Sequence, residues 1–193
     1  MVEGKYLVAT AENPFQIAVR NILNPYGYMF LGSCSDGVSL IRLIRSYHPD
    51  FVIVDMNIKM GELRNAIETI DNDMLCACIV MEEHKSMNII DLMEKFKLVS
   101  FCPKPLNGEL LVHTVELSVV NYKRIRELST RLNKMTDNYE SRKQVERAKW
   151  ILMERDGLSE KDAYDKIRKK SMDSRVPMKS IAEAIIFTHD MID

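Results

Sequence analysis

The chain has 193 residues, 46% of them hydrophobic, enough to bury one sizeable core and a small second one. Lys and Arg number 27 against 28 Asp and Glu, a formal net charge of -1, so no global positive field exists and any nucleic-acid site has to be a local patch. No apolar run approaches the ~18 residues a membrane span needs, Met1 is followed by no signal-peptide core, and Cys34, Cys76, Cys78 and Cys102 read as buried thiols of a reducing compartment, so a soluble cytoplasmic protein with no metal site is expected.

Short apolar runs alternate with amphipathic segments over the first hundred residues. The pattern predicts strands at 5–10 (KYLVAT), 28–33 (YMFLGS), 50–55 (DFVIVD), 76–81 (CACIVM) and 98–102 (LVSFC). Helices are predicted at 14–23, opened by Pro14, at 36–47, around 62–70, around 86–96 and from about 108. Strands apolar on both faces and separated by helices indicate a doubly wound α/β fold with a five-stranded parallel sheet.

From Leu111 onward apolar and small residues recur at spacings of three and four: Leu111, Thr114, Ser118, Asn121, Ile125, Leu128, Leu132, Met135 and Tyr139. That is the seam of a coiled coil, strongest between Ile125 and Met135, with Asn121 placed to fix the register of a homodimer. One long helix packed on its own domain has the same period. Lys123, Arg124, Arg126, Arg131 and Lys134 face only Glu127 along this segment, a local basic stripe suited to a polyanion or to a solvated helix flank.

Beyond it, a helix is expected from about Ser141 to Arg155, with Val145, Ala148, Ile151 and Leu152 on one face and Gly157 as its left-handed stop. Ser159 opens the next helix, with Asp162 completing a capping box, and Ala163, Tyr164, Ile167 and Ser171 form its stripe. Pro177 opens a third helix whose inner face is Met178, Ile181, Ala182 and Ile185. Three short amphipathic helices make a small three-helix bundle. The bundle carries no nucleophile, base and acid in one constellation, so no enzyme is expected. The expected divisions are 1–110, 111–138 and 139–193.

Functional groups of doubly wound sheets gather at the carboxyl ends of the strands. There, Asp55 ends the third strand and Lys104 follows the fifth in CPKPL. These residues resemble the receiver domain of bacterial response regulators, a flavodoxin-like fold, over roughly residues 1 to 120. The resemblance implies a phosphoacceptor at Asp55, a lysine partner at Lys104 and a peptide bond before Pro105 that is often cis in that family. Two features depart from it. The run VATAEN leaves Glu12 as the lone carboxylate where receivers hold Mg²⁺ with adjacent acids, and CIVMEE places Met81 where they carry Ser or Thr. Mg²⁺ is therefore expected only if Asp55 is phosphorylated, and the other reading of Asp55 is a lone acid retained from an active ancestor. Glu82, Glu83 and His84 read as a solvated loop.

The stretch SRKQVERAKWILMERDGLSEKDAYDKIRKKSMDSRVPMKSIAEAII resembles an ANTAR domain, the RNA-binding module of bacterial transcription antitermination regulators. Matching positions include Arg142, Ala148, Lys149, Leu152, Met153, Gly157, Ser159, Ala163, Tyr164, Arg168, Met172 and Ala182, while Trp150 departs from the family's usual glycine. The resemblance implies a dimer that holds paired RNA hairpins by their loops and so prevents a terminator from forming. Tyr164 would stack on a base or sit in the bundle core, and Arg168 would contact a base or phosphate. Arg142, Lys149, Lys169 and Lys170 would hold the backbone. The expected partners are leader-RNA hairpins, a second copy of the chain, and a sensor kinase or sequestering protein. DNA, for which a long basic recognition helix is missing, and membranes are not expected.

Overall fold

The computed structural model describes residues 4–56, 60–82 and 95–191. The helix expected around 86–96 therefore lies almost wholly outside the described residues, as do Glu83 and His84. The chain forms two compact units, Met1–Glu127 and Leu128–Asp193.

In the first unit, strands β1 (Gly4–Ala9), β2 (Tyr28–Cys34), β3 (Phe51–Asp55), β4 (Ala77–Glu82) and β5 (Val99–Pro103) form one parallel sheet in the order β2-β1-β3-β4-β5. Between them run α1 (Asn13–Leu23), α2 (Gly37–Tyr47) and α3 (Met60–Asn72), and after β5 comes α4 (Gly108–Asp156). The strands alternate strictly: Tyr6, Val8, Phe51, Ile53, Ile79 and Met81 point to one face, and Leu7, Ala9, Val52, Val54, Cys78 and Val80 to the other. The first face is covered by Phe15, Val19 and Leu23 of α1 and by Leu111, Val112, Val115, Val119 and Tyr122 of α4. On the second face, Leu40 and Ile44 of α2 and Leu63, Ala66, Ile67 and Ile70 of α3 complete the other core.

This packing corrects the reading of the segment after residue 110. The first turns of α4 are a core helix of the first unit and no separate linker, so the division expected at 110 is absent. Leu111 and Ser118, expected on a dimer seam, are buried, and Ile125 packs against the sheet core. Each buried Leu or Val contributes roughly 1.5–3 kcal/mol, more than a polar stretch of coiled coil returns. Tyr122 pins the helix further, its hydroxyl donating to the carbonyls of Met74 and Leu75 at 3.1 Å each. Asn121, by contrast, is exposed, and so are Leu128, Leu132, Met135 and Tyr139, at 64 to 69%. The seam that stays open to a partner is the later half.

The second unit packs the end of α4 against α5 (Glu160–Ser174) and α6 (Met178–Asp190). Its core is Val145, Ala148, Ile151 and Leu152 of α4, Ala163 and Ile167 of α5, and Ile181, Ala182 and Ile186 of α6. Ala148, Ala163 and Ala182 are fully buried, which lets the helices approach closely. Helix α4 runs without a break through residue 141, where a helix start was expected, and stops at Gly157, whose φ of 65° is left-handed and disfavours any side chain. Ser159 then caps α5: its hydroxyl oxygen accepts from the Asp162 N–H at 3.2 Å and its proton goes to the Asp162 carboxylate at 2.6 Å. No helix among the described residues is long and apolar enough to cross a membrane.

Candidate functional site

Two places concentrate charged or aromatic chemistry. The first lies at the carboxyl ends of the sheet, beside the point where the strand order reverses between β1 and β3, the usual ligand crevice of such folds. Asp55 closes β3, is fully buried, and accepts from Lys104 Nζ at 2.7 Å and from the Thr10 hydroxyl at 3.1 Å. Thr10, one residue past β1, also takes the Glu12 N–H on its oxygen at 3.0 Å, which folds the loop back over the strand end. The Lys104 ammonium lies 5.1 Å above the Phe15 ring, and the bond between Lys104 and Pro105 is cis, as the resemblance implied.

Asp55 and Lys104 are therefore brought together. Glu12 is exposed at the start of α1 and its side chain caps nothing. Met81 lies in β4, within the predicted strand, fully buried and in register with Asp55. Glu82 ends β4 and is buried, where a solvated loop was expected. Among the described residues, no three His, Cys, Asp or Glu side chains converge as a metal site. A hydroxyl at Thr10 and a thioether at Met81 beside Asp55 make a donor set that fits Mg²⁺ poorly. Thr10 was the member that sequence reasoning passed over, and its position one past a buried strand was the available signal.

The second place is the outer surface of α5. With Ala163 and Ile167 turned inward, Lys161, Tyr164, Arg168 and Met172 follow spacings of three, four and four along the opposite face. All four are exposed, and Tyr164, at 42%, is on the surface and not in the core. Arg175 ends the stripe with a left-handed φ of 54°, its N–H donating to the carbonyls of Ser171 and Met172. Lys169 and Lys170 are exposed but leave the stripe by about 100° per residue. An open groove of about 590 Å³, lined by Glu146, Lys149, Ser159, Glu160, Lys161 and Tyr164, leads from this face towards α4.

Lys149 does not present itself as expected. It is buried at the junction of α4 and α5, donating to Glu146 at 2.9 Å and to Glu160 at 2.8 Å. Its hydrogen bonds to both carboxylates raise its pKa above the usual lysine value, and the same ammonium lowers that of Glu160. Two of its three donors are thus engaged inside the protein. Arg142, two turns earlier on α4, is exposed. The stripe thus brings Tyr164 and Arg168 onto one face with Lys161 and Arg175, and leaves Lys149 as a clasp between helices.

An exposed tyrosine and guanidinium share one face of α5, and the sheet of the first unit has the topology of a receiver fold. The chain matches the ANTAR domain over residues 133–186. It is similar to the transcriptional regulatory protein PdtaR of Mycobacterium tuberculosis, with 26% identity over 187 residues, 97% of this chain and 91% of that protein. Among solved structures, it resembles the signal receiver domain of a modulated diguanylate cyclase from Desulfovibrio desulfuricans G20. That likeness has a TM-score of 0.55 and 16% identity, over 62% of this chain and 96% of that one. NtrX from Brucella abortus matches with a TM-score of 0.56 and 19% identity over 67% of this chain, which spans 29% of NtrX. At these identities the structural matches show the receiver fold alone.

Proposed function

We propose that this chain is a non-enzymatic cytoplasmic regulator that grips unstacked bases in the loops of paired leader-RNA hairpins and thereby keeps a terminator from forming. The observation that carries this reading is the exposed stripe Lys161, Tyr164, Arg168 and Met172 on a helix whose apolar side is fully used by the bundle core. Loop bases are recognised by stacking on aromatic rings and guanidinium planes, while ammonium groups pair with phosphates. Arg142, Lys169, Lys170 and Arg175 supply further cations around that face. A homodimer formed along Leu128, Leu132, Met135 and Tyr139 would place two such faces on two hairpins.

The test is a titration of the full chain against a tandem-hairpin leader RNA, with scrambled-loop RNA and duplex DNA as controls, at two salt concentrations. Salt-sensitive binding that requires the intact loops supports the reading. Equal affinity for all three nucleic acids, or none, overturns it.

One observation favours a second reading, a phosphorylation-switched regulator in which Asp55 accepts phosphate: Lys104 already lies 2.7 Å from its carboxylate. Incubation with a small phosphodonor and Mg²⁺, followed by intact-mass measurement, decides it. A labile mass gain absent from Asp55→Ala supports the switch. No gain leaves the receiver as a fold that signals by docking, with a sensor or sequestering protein as the partner.

A further inference from the structure

Trp150, the only tryptophan of the chain, is 67% exposed on α4. An indole left in water contributes little to the bundle, yet it is the side chain with the largest contact surface a protein can offer a partner. It lines a groove of about 560 Å³ between α4 and α6, together with Glu146, Arg147, Glu154, His189 and Asp190. The charges of this groove are unevenly matched. Arg147 is spent on Asp190, which it meets at 3.1 and 3.2 Å, and Glu146 is held by Lys149. Glu154, one helical turn after Trp150, is exposed and has no ion-pair or hydrogen-bond partner among the described residues.

An RNA phosphate brought here meets carboxylates, whereas a cation meets the negative face of an indole and an unneutralised carboxylate on the same side of one helix. We propose that this groove is a docking site for an arginine side chain on a basic segment of a protein partner. The planar guanidinium stacks on Trp150 while its fork of N–H groups donates to Glu154, a combination that the compact lysine ammonium cannot reproduce. The RNA face on α5 and this groove then lie against different helices of the unit, so protein docking and RNA binding use different residues.

The sole tryptophan supplies the readout. Full-length protein is titrated with a capped tetra-arginine peptide while Trp150 emission is followed, with tetra-lysine and tetra-glutamate peptides as controls. Expected are a saturable change with tetra-arginine, a weaker one with tetra-lysine and none with tetra-glutamate. Glu154→Gln should weaken the arginine peptide by at least about fivefold while its affinity for hairpin RNA stays within about twofold. The proposal is overturned by an unsaturable change, or by one that Glu154→Gln leaves intact. It is also overturned if hairpin RNA shifts the emission and Trp150→Ala loses RNA affinity, which would make the groove part of the RNA face. Emission that shifts on dilution without peptide would assign Trp150 to a second copy and overturn it as well. The peptide titration contains no RNA, so its failure and that of the RNA reading are separable.

Discussion

Asp55 and Arg168 are both charged residues at the end or edge of a packed element, and the two units treat them in opposite ways. Asp55 is wholly buried, with its charge met inside the fold by Lys104 and Thr10. Arg168 points outward from α5 beside Tyr164 and Lys161, with the apolar side of its helix already occupied. A charge neutralised internally makes structure, because removing either partner strands the other away from water. A charge held on the surface of a rigid helix costs the fold nothing and stays available to a ligand. The contrast sets an internally neutralised pair in the first unit against exposed charge in the second.

The largest expected effect tests the buried pair. Lys104→Met leaves the Asp55 carboxylate in the interior without its ammonium and should lower the stability of the first unit by about 3 kcal/mol. Denaturant unfolding would measure it, and loop-RNA affinity should not change. Arg168→Ala should do the reverse, costing about 1–3 kcal/mol of RNA binding while the unfolding curve stays in place. A variant that moves both quantities would erase the distinction between the units.

The exposed seam gives an intermediate case. Leu132→Glu puts a carboxylate on the apolar stripe of α4 and should weaken self-association at least tenfold in sedimentation, without loss of monomer stability. Arg175→Gly splits the two properties within one residue. It relieves a left-handed backbone and should stabilise the second unit by about 0.5–1 kcal/mol, while removing a cation from the end of the exposed stripe. The smallest effect is on pH. Lys149 lowers the pKa of Glu160, and Arg155 with Lys166 lowers that of Asp156. A depressed carboxylate stabilises the fold above its ordinary pKa, and that contribution is lost as pH falls through the folded value. Thermal melts of the second unit should therefore weaken modestly below the ordinary carboxylate range. The raised pKa of Lys149 acts at the other end, contributing up to the ordinary lysine value and fading only as pH rises through the folded one.

Most of the first unit was legible because buried parallel strands advertise themselves as short apolar runs, and Asp55 and Lys104 fall where such strands end. The role of α4 was not. A helix that packs on its own sheet and one that pairs with a second copy share the same spacing of three and four, so Leu111 and Ser118 looked like seam residues until the core claimed the first and buried the second. Lys149 misled for a similar reason. Glu146 lies one turn before it and was visible, but Glu160 comes across the stop at Gly157, and only the fold brings that carboxylate to 2.8 Å. Glu82 was read as loop because nothing in the run CIVMEE marks that the strand stays buried one residue beyond Met81. Tyr164 was undecided because an amphipathic tyrosine suits a core edge or a surface, and the inward turn of Ala163 and Ile167 settled its side.

The account stands most directly on one comparison: the affinity of the full chain and of a Tyr164→Ala, Arg168→Ala double variant for the same tandem-hairpin RNA, with circular dichroism confirming that both are folded. The predicted result is a loss of at least about 30-fold, roughly 2 kcal/mol, confined to RNA with intact loops. Unchanged affinity in the folded double variant would contradict the claim that the outer face of α5 is the recognition surface.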